Sequence, residues 1–307
     1  MKIVLHAAQD QEAWIAAFRR ALPQAQIDPW SAAHAAQADY AIVWKPRPEI
    51  LPAFSRAKAV FNLGAGIDAI PDLGAIAPGI PLVRLDDAGM AEQMIEYVSE
   101  AALRCYREVD AYADQQRETR WQPRPRRAKA EFIAGILGAG VLGAAVAGAL
   151  RSLGFPVRAW SRTRRRLDGV EGFAGMDELA GFLTRTRFLV CLLPLTPGTT
   201  NLLDRARLSL LPHGACVVNV ARGGLVVDAD LVALLDEGHL AAAFLDVFRE
   251  EPLPPEHPFW HHPRIVLTPH VSAVTLARET VAQIVDKIGR LEAGLPVTGV
   301  VDRERGY

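Results

Sequence analysis

Residues 132–166 read FIAGILGAGVLGAAVAGALRSLGFPVRAWSRTRRR, and this stretch decides the predicted fold. An apolar run leads into Gly138-Ala139-Gly140-Val141-Leu142-Gly143, an Ala-rich segment follows, and residues 157–160 form a second run with β-propensity. Strand, glycine turn, helix and strand in this order are the context in which G-x-G-x-x-G indicates dinucleotide binding. The sequence therefore predicts a βαβ unit with a cofactor at its turn.

Each glycine of the motif has a predicted role. Gly138 allows a tight turn, Gly140 lets the backbone approach a pyrophosphate, and Gly143 lets the helix pack closely on the strand. The helix that starts at Val141 and Leu142 then presents unpaired N–H groups and the positive end of its dipole to the phosphates. A βα turn that binds nothing is the simpler alternative, since G-x-G-x-x-G alone is a weak signal.

The end of the second strand indicates which dinucleotide binds. An NAD site usually has Asp or Glu about 20 residues after the glycines, where it binds the ribose 2′-hydroxyl. Here Ser161 is followed by Arg162, Thr163, Arg164 and two further arginines. Because guanidinium groups pair with phosphate through two hydrogen bonds, Arg162 and Arg164 are candidates to bind a 2′-phosphate. We therefore expect NADP as the cofactor, with NADPH preferred over NADH, and expect the other two arginines to be solvated.

The composition excludes several classes of protein. Of 307 residues, 50% are hydrophobic and 22% are charged, as in globular proteins, and the net charge of −1 argues against a broad nucleic-acid-binding face. Residues 134–150 carry no charge, but this run is short and changes from strand to helix, so no membrane span is expected. The three cysteines form no C-x-x-C pair and no targeting signal is found, so a cytoplasmic location is expected.

The rest of the chain alternates strands with helices, which predicts parallel sheets covered on both faces. Predicted strands lie at 2–6, 40–44, 59–63, 82–85, 187–193, 215–220, 241–247 and 265–267. Predicted helices lie at 11–22, 202–211, 228–237 and 276–293. A continuous helix over about 90–116 and the Pro- and Arg-rich stretch 121–129 are expected to link two domains.

Arg222, Glu251 and His270 each follow a predicted strand of the same sheet. Since the carboxyl ends of parallel strands share one edge, the three side chains are expected to lie together beside the cofactor. Taken singly, each has a structural alternative: a turn cap, a surface charge and a satisfied core imidazole. Three further histidines lie within 257–262, but their spacing matches no metal-ligand pattern, and no metal site is expected.

Two loops near the N-terminus follow strands in the same way. In residues 62–68, Gly64 and Gly66 expose the backbone, and successive N–H groups can form an anion-binding nest. From the spacing alone, an ordinary turn is the favoured interpretation. Trp44 ends another predicted strand and either covers a substrate or is a buried aromatic residue; both interpretations stay open.

Six segments together resemble the D-isomer-specific 2-hydroxyacid dehydrogenases. They are NLGAGID (62–68), GILGAGVLG (135–143), LLPLTPGTTNLL (192–203), NVARGGLVVD (219–228), LDVFREEPLP (245–254) and LTPH (267–270). Within that family, VWKP (43–46), MAEQMIEYV (90–98) and WSRTRRR (160–166) are similar to the bacterial glyoxylate/hydroxypyruvate reductase A branch.

The resemblance implies a role for each matching residue. Arg222 is expected to bind the substrate carboxylate and carbonyl oxygen, His270 to protonate that oxygen, and Glu251 to keep His270 charged and oriented. The expected substrate contacts are Trp44 and the backbone of Leu63, Gly64, Ala65 and Gly66. Besides the glycine turn and residues 161–164, the expected cofactor contacts are Leu193, Pro194, Thr196, Thr200, Ala221 and Asp246.

The resemblance also implies the architecture and the activity. A Rossmann-type cofactor domain, 97–272, is expected within a flavodoxin-like substrate-binding domain formed by 1–96 and 273–307. The implied activity is NADPH-dependent reduction of glyoxylate and hydroxypyruvate by a homodimer. Two alternatives stay open: a dehydrogenase for another 2-keto acid, such as phenylpyruvate or a branched-chain acid, and a non-catalytic, nucleotide-sensing binding protein.

Overall fold

The computed structural model describes residues 1–68, 70 and 72–306. The chain divides into two compact units, Met1–Met90 with Val274–Tyr307, and Ala91–Ala273. Each unit has its own parallel β-sheet, so the predicted α/β class with two doubly wound domains is confirmed. The units separate a few residues from the predicted domain boundaries, and the assignment of substrate and cofactor to the two domains stays a prediction.

The first unit contains a five-stranded parallel sheet in the order β2-β1-β3-β4-β5. The strands are β1 (Lys2–Ala7), β2 (Gln26–Pro29), β3 (Tyr40–Trp44), β4 (Ala59–Asn62) and β5 (Leu82–Val83). Its helices are α1 (Gln11–Ala21), α2 (Ala32–Ala35) and the last helix of the chain, α9 (Ala277–Glu292). This strand order is the one found in flavodoxin-like folds.

Strand β1 illustrates why this sheet is covered on both faces. Ile3 and Leu5 point to one face, where they pack with Phe18 of α1 and Ile284 of α9. Val4, between them, points to the opposite face and joins a second apolar cluster. Successive side chains of a strand alternate between faces, so a strand that is apolar throughout requires a buried layer on each side.

Lys287 fastens the C-terminal segment to this unit. Its side chain on α9 is buried, and Nζ donates to the Asp86 carboxylate at 2.9 Å and to the carbonyl oxygens of Arg84 at 2.9 Å and Thr298 at 3.0 Å. The ammonium group is thereby paired and saturated with acceptors, as a buried cation requires. The helix, the loop after β5 and the C-terminal tail are therefore held at one point.

The second unit contains a seven-stranded parallel sheet in the order β12-β11-β10-β9-β6-β7-β8. The strands are β6 (Ala134–Leu137), β7 (Val157–Ser161), β8 (Glu171–Ala174), β9 (Phe188–Cys191), β10 (Ala215–Asn219), β11 (Leu240–Leu245) and β12 (Ile265–Leu267). The helices are α3 (Met90–Arg107), α4 (Val109–Arg117), α5 (Val141–Ser152), α6 (Gly175–Leu183), α7 (Arg205–Leu208) and α8 (Asp228–Asp236). Six of these strands follow the dinucleotide-binding order 3-2-1-4-5-6, with β12 added at the edge.

None of the helices in the described part of the chain is long and apolar enough to cross a membrane.

The prediction of one continuous helix over 90–116 is wrong. Helices α3 and α4 are separated at Glu108, whose backbone is left-handed with φ 53°. The Glu108 carboxylate accepts from Arg124 at 2.9 Å and from Arg127 at 3.0 Å, and these guanidinium groups lower the pKa of Glu108. Apolar periodicity cannot reveal this break, because the cations that hold Glu108 come from a distant loop.

Several short elements differ from the sequence-based assignment. Strands β2 and β8 were not predicted, since both are four-residue edge strands with few apolar side chains. Helix α6 was also not predicted. The helix predicted over 202–211 is limited to α7. Its N-cap is Asp204, whose side chain accepts from the Arg207 amide at 2.9 Å, so the helix begins later than the apolar pattern suggests.

Two glycines on α5 have opposite surroundings. A Cβ built on Gly143 would overlap the carbonyl oxygen of Gly138, so only glycine allows α5 to approach the β6 turn this closely. A Cβ built on Gly148, on the same helix, would meet no heavy atom within 4 Å. The same substitution at the two positions therefore has opposite expected effects.

We expect Gly143→Ala to destabilise the protein by about 1–3 kcal/mol, because α5 must move away from β6. Gly148→Ala should stabilise it by about 0.5–1 kcal/mol, since alanine has the higher helix propensity and fits without contact. Urea unfolding of both variants without added nucleotide measures the difference. Equal effects at the two positions would contradict the close approach at Gly143.

Candidate active site

The predicted site residues of the second unit follow strands at one edge of its sheet. Gly138 follows β6, Ser161 ends β7, Arg222 follows β10, Glu251 lies in the loop after β11, and His270 lies just past β12. All these strands are parallel, so their carboxyl ends share that edge. The strand order reverses at β6, between β9 and β7, and such a switch point is where open α/β sheets bind ligands.

The turn between β6 and α5 has the features of a phosphate-binding turn. Gly138 has φ 111°, a left-handed value, and a Cβ there would press against the Leu192 backbone. Gly140 is exposed, and a Cβ there would meet no heavy atom within 4 Å, so the backbone is open to a ligand. Helix α5 begins without a side-chain cap, which leaves the N–H groups of its first turn available. These features fit the pyrophosphate of a dinucleotide.

The loop after β7 is basic and exposed. The Ser161 hydroxyl donates to the Thr163 carbonyl oxygen at 2.8 Å, and the side chains of residues 162–166 are exposed. The Arg164 guanidinium contacts the Gly172 carbonyl oxygen and the Glu178 carboxylate. Arg164 therefore also ties this loop to β8 and α6, a contact that the sequence pattern did not predict.

The loop after β9 is organised by Thr199. Its hydroxyl donates to the Pro194 carbonyl oxygen at 2.7 Å and accepts from the Thr196 amide at 2.8 Å. The Thr200 hydroxyl donates to the Thr196 carbonyl oxygen at 2.9 Å, and Leu193 is buried. These bonds give residues 193–200 a defined course at the sheet edge.

Asn219, the last residue of β10, shapes the turn that carries Arg222. Its side-chain nitrogen Nδ2 donates to the Arg222 carbonyl oxygen at 2.9 Å, and its Oδ1 accepts from the Ala221 backbone amide at 3.2 Å. Gly223 follows, and a Cβ there would overlap the backbone of Phe248. The Arg222 turn is thus packed directly against the segment that leads to Glu251.

Glu251 and His270 are in contact. His270 Nδ1 lies 2.7 Å from Glu251 Oε2, and Glu251 Oε1 accepts from the Phe248 amide at 3.0 Å. The carboxylate is therefore fixed by its own backbone while it binds the imidazole. The His270 side chain is 45% exposed, and its Nε2 has no hydrogen-bond partner among the residues that the structure describes. One ring nitrogen is held and the other is open, as a proton donor requires.

Asp246 is completely buried just after β11. Its Oδ1 accepts from the Thr268 hydroxyl at 2.6 Å and from the Val271 amide at 2.8 Å, and its Oδ2 accepts from the Ser272 amide at 2.9 Å. The His270 amide donates to the Asp246 carbonyl oxygen at 2.8 Å. Asp246 was predicted as a cofactor contact, and in this structure its carboxylate binds the loop that carries His270.

The glycine loop of the first unit follows a similar design. Asn62 is the buried last residue of β4. Its side-chain nitrogen Nδ2 donates to the carbonyl oxygens of Gly64 at 3.0 Å and Gly66 at 2.8 Å. The Leu63 amide donates to the Val43 carbonyl oxygen at 3.0 Å and is not available to a ligand. Within the described residues, the amides of Gly64, Ala65 and Gly66 have no backbone acceptor, so these three fit an anion.

Trp44 packs against this loop. A Cβ on Gly64 would overlap its indole ring, and Trp44 is half-buried rather than part of the closed core. Lys45, the next residue, has a left-handed φ of 47°, and its Nζ lies 5.8 Å from the centre of the indole ring. Trp44 therefore lies at the carboxyl end of β3, beside the loop of residues 62–68.

Sequence reasoning missed the residues that support the loops. Asn62, Asn219, Thr199 and Thr268 were not predicted as site residues, yet each fixes a loop that carries predicted site residues. A polar residue at the end of an otherwise apolar strand is the signal that identifies the two asparagines. Within the described parts of the chain, no group of three or more His, Cys, Asp and Glu side chains is placed to hold a metal ion.

The arrangement matches a known family. Residues 100–272 match the family model of the D-isomer specific 2-hydroxyacid dehydrogenase, NAD binding domain. The match includes the glycine turn, the basic loop after β7 and all three of Arg222, Glu251 and His270.

Solved structures resemble the whole chain. A D-isomer specific 2-hydroxyacid dehydrogenase from Xanthobacter autotrophicus Py2, in complex with NADPH and MES, is 40% identical, with a TM-score of 0.93, over 100% of this chain and 99% of that one. The NADPH-dependent glyoxylate/hydroxypyruvate reductase of Sinorhizobium meliloti, in complex with NADP and sulfate, is 36% identical, with a TM-score of 0.89, over 100% and 99%. A probable 2-hydroxyacid dehydrogenase from Rhizobium etli CFN 42, in complex with NADP, HEPES and L(+)-tartaric acid, is 31% identical, with a TM-score of 0.89, over 100% and 99%.

These similarities extend along the entire length of the chain and agree with its strand order and with its glycine turn. The resemblance inferred from the six sequence segments is confirmed, and an enzyme is the correct class of protein. The chain belongs to the family of NAD(P)-dependent, D-isomer specific 2-hydroxyacid dehydrogenases.

Proposed function

We propose that this protein is an NADPH-dependent reductase that converts glyoxylate to glycolate and hydroxypyruvate to glycerate. The observation that carries the proposal is the 2.7 Å contact of Glu251 with His270 at the sheet edge that also carries the dinucleotide turn. The similarity to the Sinorhizobium meliloti reductase, at 36% identity, supports these substrates. The Xanthobacter autotrophicus enzyme, in complex with NADPH, supports the cofactor.

His270 is the proposed proton donor. When NADPH is bound it supplies the hydride, and reduction of a ketone or aldehyde then requires a proton on the former carbonyl oxygen. His270 delivers this proton from Nε2, because Nδ1 is held by Glu251. The Glu251 carboxylate fixes the orientation of the ring, so that Nε2 stays open towards the substrate oxygen.

Arg222 is the proposed anchor for the substrate. Its guanidinium presents two parallel N–H donors, which match a carboxylate, and its charge stabilises the oxygen that becomes negative as reduction proceeds. The proposed substrate contacts of the first unit are the amides of Gly64, Ala65 and Gly66 and the side chain of Trp44. The short side chains of glyoxylate and hydroxypyruvate require little further recognition.

The 2′-phosphate of NADPH is bound at the loop after β7. No Asp or Glu follows β7 at the position that would bind a 2′-hydroxyl, and Arg162 and Arg164 supply positive charge there. The remaining cofactor contacts are Ser161 and Thr163 in this loop, Val141 and Leu142 at the glycine turn, and Leu193, Pro194, Thr196, Thr200 and Ala221 at the neighbouring strand ends.

A turnover panel tests this assignment. Wild-type enzyme should reduce glyoxylate and hydroxypyruvate faster than phenylpyruvate or a branched-chain keto acid, with a lower KM for NADPH than for NADH. Replacing Arg162 and Arg164 together by Ala should raise the KM for NADPH about 100-fold, because two charge-assisted hydrogen bonds to phosphate are lost, while the KM for NADH changes little. Initial rates measured by loss of cofactor absorbance report both effects.

The control removes the same charge from the same loop by replacing Arg165 and Arg166 with Ala. That variant should keep the wild-type preference for NADPH. No turnover of any 2-keto acid with either cofactor would favour the nucleotide-sensing protein, and fastest turnover of phenylpyruvate would favour the other dehydrogenase. A wild-type preference for NADH would contradict the role of the arginines.

The acid–base pair has its own test. His270→Ala should lower kcat by about 10²–10⁴-fold, the usual contribution of general acid catalysis. Glu251→Gln replaces the carboxylate that fixes Nδ1 by a neutral amide, so kcat should fall about 10-fold or more, because a small misplacement of the proton donor lowers the rate steeply. Initial rates at saturating NADPH measure both variants. Wild-type kcat in folded Glu251→Gln would contradict the pair.

The proposed assembly is a homodimer in the cytoplasm. Four apolar side chains between residues 103 and 121 are exposed: Leu103 (40%), Val109 (48%), Tyr112 (42%) and Trp121 (97%). The four side chains lie in one stretch of the chain, and exposed large apolar side chains are typical of protein interfaces. The cysteines at 105, 191 and 216 are all buried free thiols, which suits a reducing compartment.

Trp121→Glu should therefore weaken self-association, because it places a charge in the proposed interface. Trp260→Glu is the matched control, since Trp260 is 50% exposed and lies outside this stretch. Sedimentation velocity at micromolar concentration should give dimers for wild type and for Trp260→Glu, and monomers for Trp121→Glu. A monomeric wild-type protein would contradict the proposed dimer.

A further inference from the structure

A chain of hydrogen bonds joins helix α3 to the loop that carries His270. The Tyr97 hydroxyl lies 2.8 Å from Thr268 Oγ1, and Thr268 Oγ1 lies 2.6 Å from Asp246 Oδ1. Thr268 precedes His270 by two residues, and all four residues belong to the second compact unit. Tyr97 lies in the MAEQMIEYV segment, to which the proposed reaction assigns no role.

The chemistry of the three groups fixes the direction of this chain. The Asp246 carboxylate accepts from Thr268, from the Val271 amide and from the Ser272 amide, so all of its recorded partners are donors. The Thr268 hydroxyl has one hydrogen, and it is used on Asp246. Tyr97 must therefore donate its own hydroxyl hydrogen to Thr268. The sequence of donors is Tyr97, then Thr268, and the final acceptor is Asp246.

The end of this chain determines the backbone around His270. The His270 backbone is left-handed, with φ 55°, a conformation that is uncommon for non-glycine residues and that neighbouring contacts stabilise here. Its amide donates to the carbonyl oxygens of Asp246 at 2.8 Å and Thr268 at 3.0 Å. The next two amides, at Val271 and Ser272, are bound by the Asp246 carboxylate. The Asp246 carboxylate thus accepts from Thr268 and also binds the backbone immediately after His270.

We propose that Tyr97 is a positioning residue that acts through Thr268 and Asp246 to fix the backbone of His270 for proton transfer. The proposal rests on the proposed function, in which His270 is the proton donor. Tyr97 contacts neither substrate nor cofactor in this scheme. Its contribution is to give the Thr268 hydroxyl a donor, so that Thr268 keeps one orientation, with its own hydrogen on Asp246.

The surroundings of Tyr97 suit this role. The residue is partly buried on α3, and burial, together with the charges of Asp246 and Glu100, raises the pKa of Tyr97. The hydroxyl therefore keeps its hydrogen throughout the neutral range and donates under all assay conditions. Phenylalanine at this position would fill the same apolar space but would leave Thr268 without a donor.

A buried hydrogen bond that contributes only to stability is the competing explanation, and the same helix provides a matched control. Tyr106, also on α3 and partly buried, donates its hydroxyl to the Arg127 carbonyl oxygen at 3.0 Å and has no link to the His270 loop. Tyr97→Phe and Tyr106→Phe each remove one hydroxyl from one helix. Both variants should lose a similar amount of thermal stability.

Only Tyr97→Phe should change the chemistry. We expect its kcat for glyoxylate to fall about 10-fold, because a small misplacement of a reacting group lowers the rate steeply. The Kd for NADPH, measured by fluorescence titration, should stay within about two-fold of wild type, because Tyr97 does not contact the cofactor in this scheme. The solvent deuterium isotope effect on kcat should increase, because proton delivery limits the rate more strongly. A purely structural role moves neither kcat per folded enzyme nor the isotope effect.

Substitutions at Thr268 test the link itself. Thr268→Val removes the hydroxyl and should reproduce the loss of kcat, whereas Thr268→Ser keeps it and should retain activity close to wild type. The double variant Tyr97→Phe/Thr268→Val should be no slower than Thr268→Val alone, since both changes interrupt one chain. Additive losses would overturn the proposal, as would wild-type kcat and isotope effect in Tyr97→Phe. If Tyr97→Phe does not fold, the comparison of Thr268→Val with Thr268→Ser decides.

His270→Ala separates the two levels of inference. If this variant retains turnover, the proposed proton donor is wrong whatever Tyr97 does. If His270→Ala is inactive and Tyr97→Phe behaves like Tyr106→Phe, the proposed function stands and the positioning role of Tyr97 is overturned.

Discussion

The direction of the parallel strands is the constraint on which the site depends. Because every strand of the second sheet runs the same way, the loops after β6, β7, β9, β10, β11 and β12 all emerge at one edge. Loops at an edge are exposed, and their backbones need partners that the sheet no longer provides. The chain supplies those partners from polar side chains at the strand ends: Asn219 at the end of β10 and Asp246 just after β11. Asn62 at the end of β4 has the same role in the first sheet.

Most of the architecture could be predicted because its signals are local. The glycine turn, the all-apolar strands and the missing carboxylate after β7 can each be read within a few residues. The break at Glu108 could not be predicted, since Glu108 is held by ion pairs with Arg124 and Arg127 of a later loop. The short extent of α7 follows from the N-cap at Asp204, a local signal that the apolar pattern alone does not include. Edge strands β2 and β8 lack the apolar content from which the central strands could be predicted.

The candidate site divides in the same way. Glu251 and His270 could be named from their positions after strands, and the structure places them 2.7 Å apart. The supporting roles of Thr199 and Thr268 could not be named, because a threonine hydroxyl has no sequence signature that distinguishes a loop tie from a solvated side chain. Asp246 was assigned to the cofactor by resemblance, whereas in the folded chain its carboxylate holds the His270 loop.

Two carboxylates near His270 have different tasks because their exposure differs. Glu251, with a side chain that is 36% exposed, binds the imidazole ring where solvent screens the pair. Asp246 is fully buried and binds three donors, so its negative charge is committed to the backbone and to Thr268. A buried carboxylate in place of Glu251 would resist each change of charge on the ring. An exposed one in place of Asp246 would exchange its loop bonds with water. The site therefore combines an exposed carboxylate, Glu251, that contacts the proposed proton donor with a buried carboxylate, Asp246, that holds the loop.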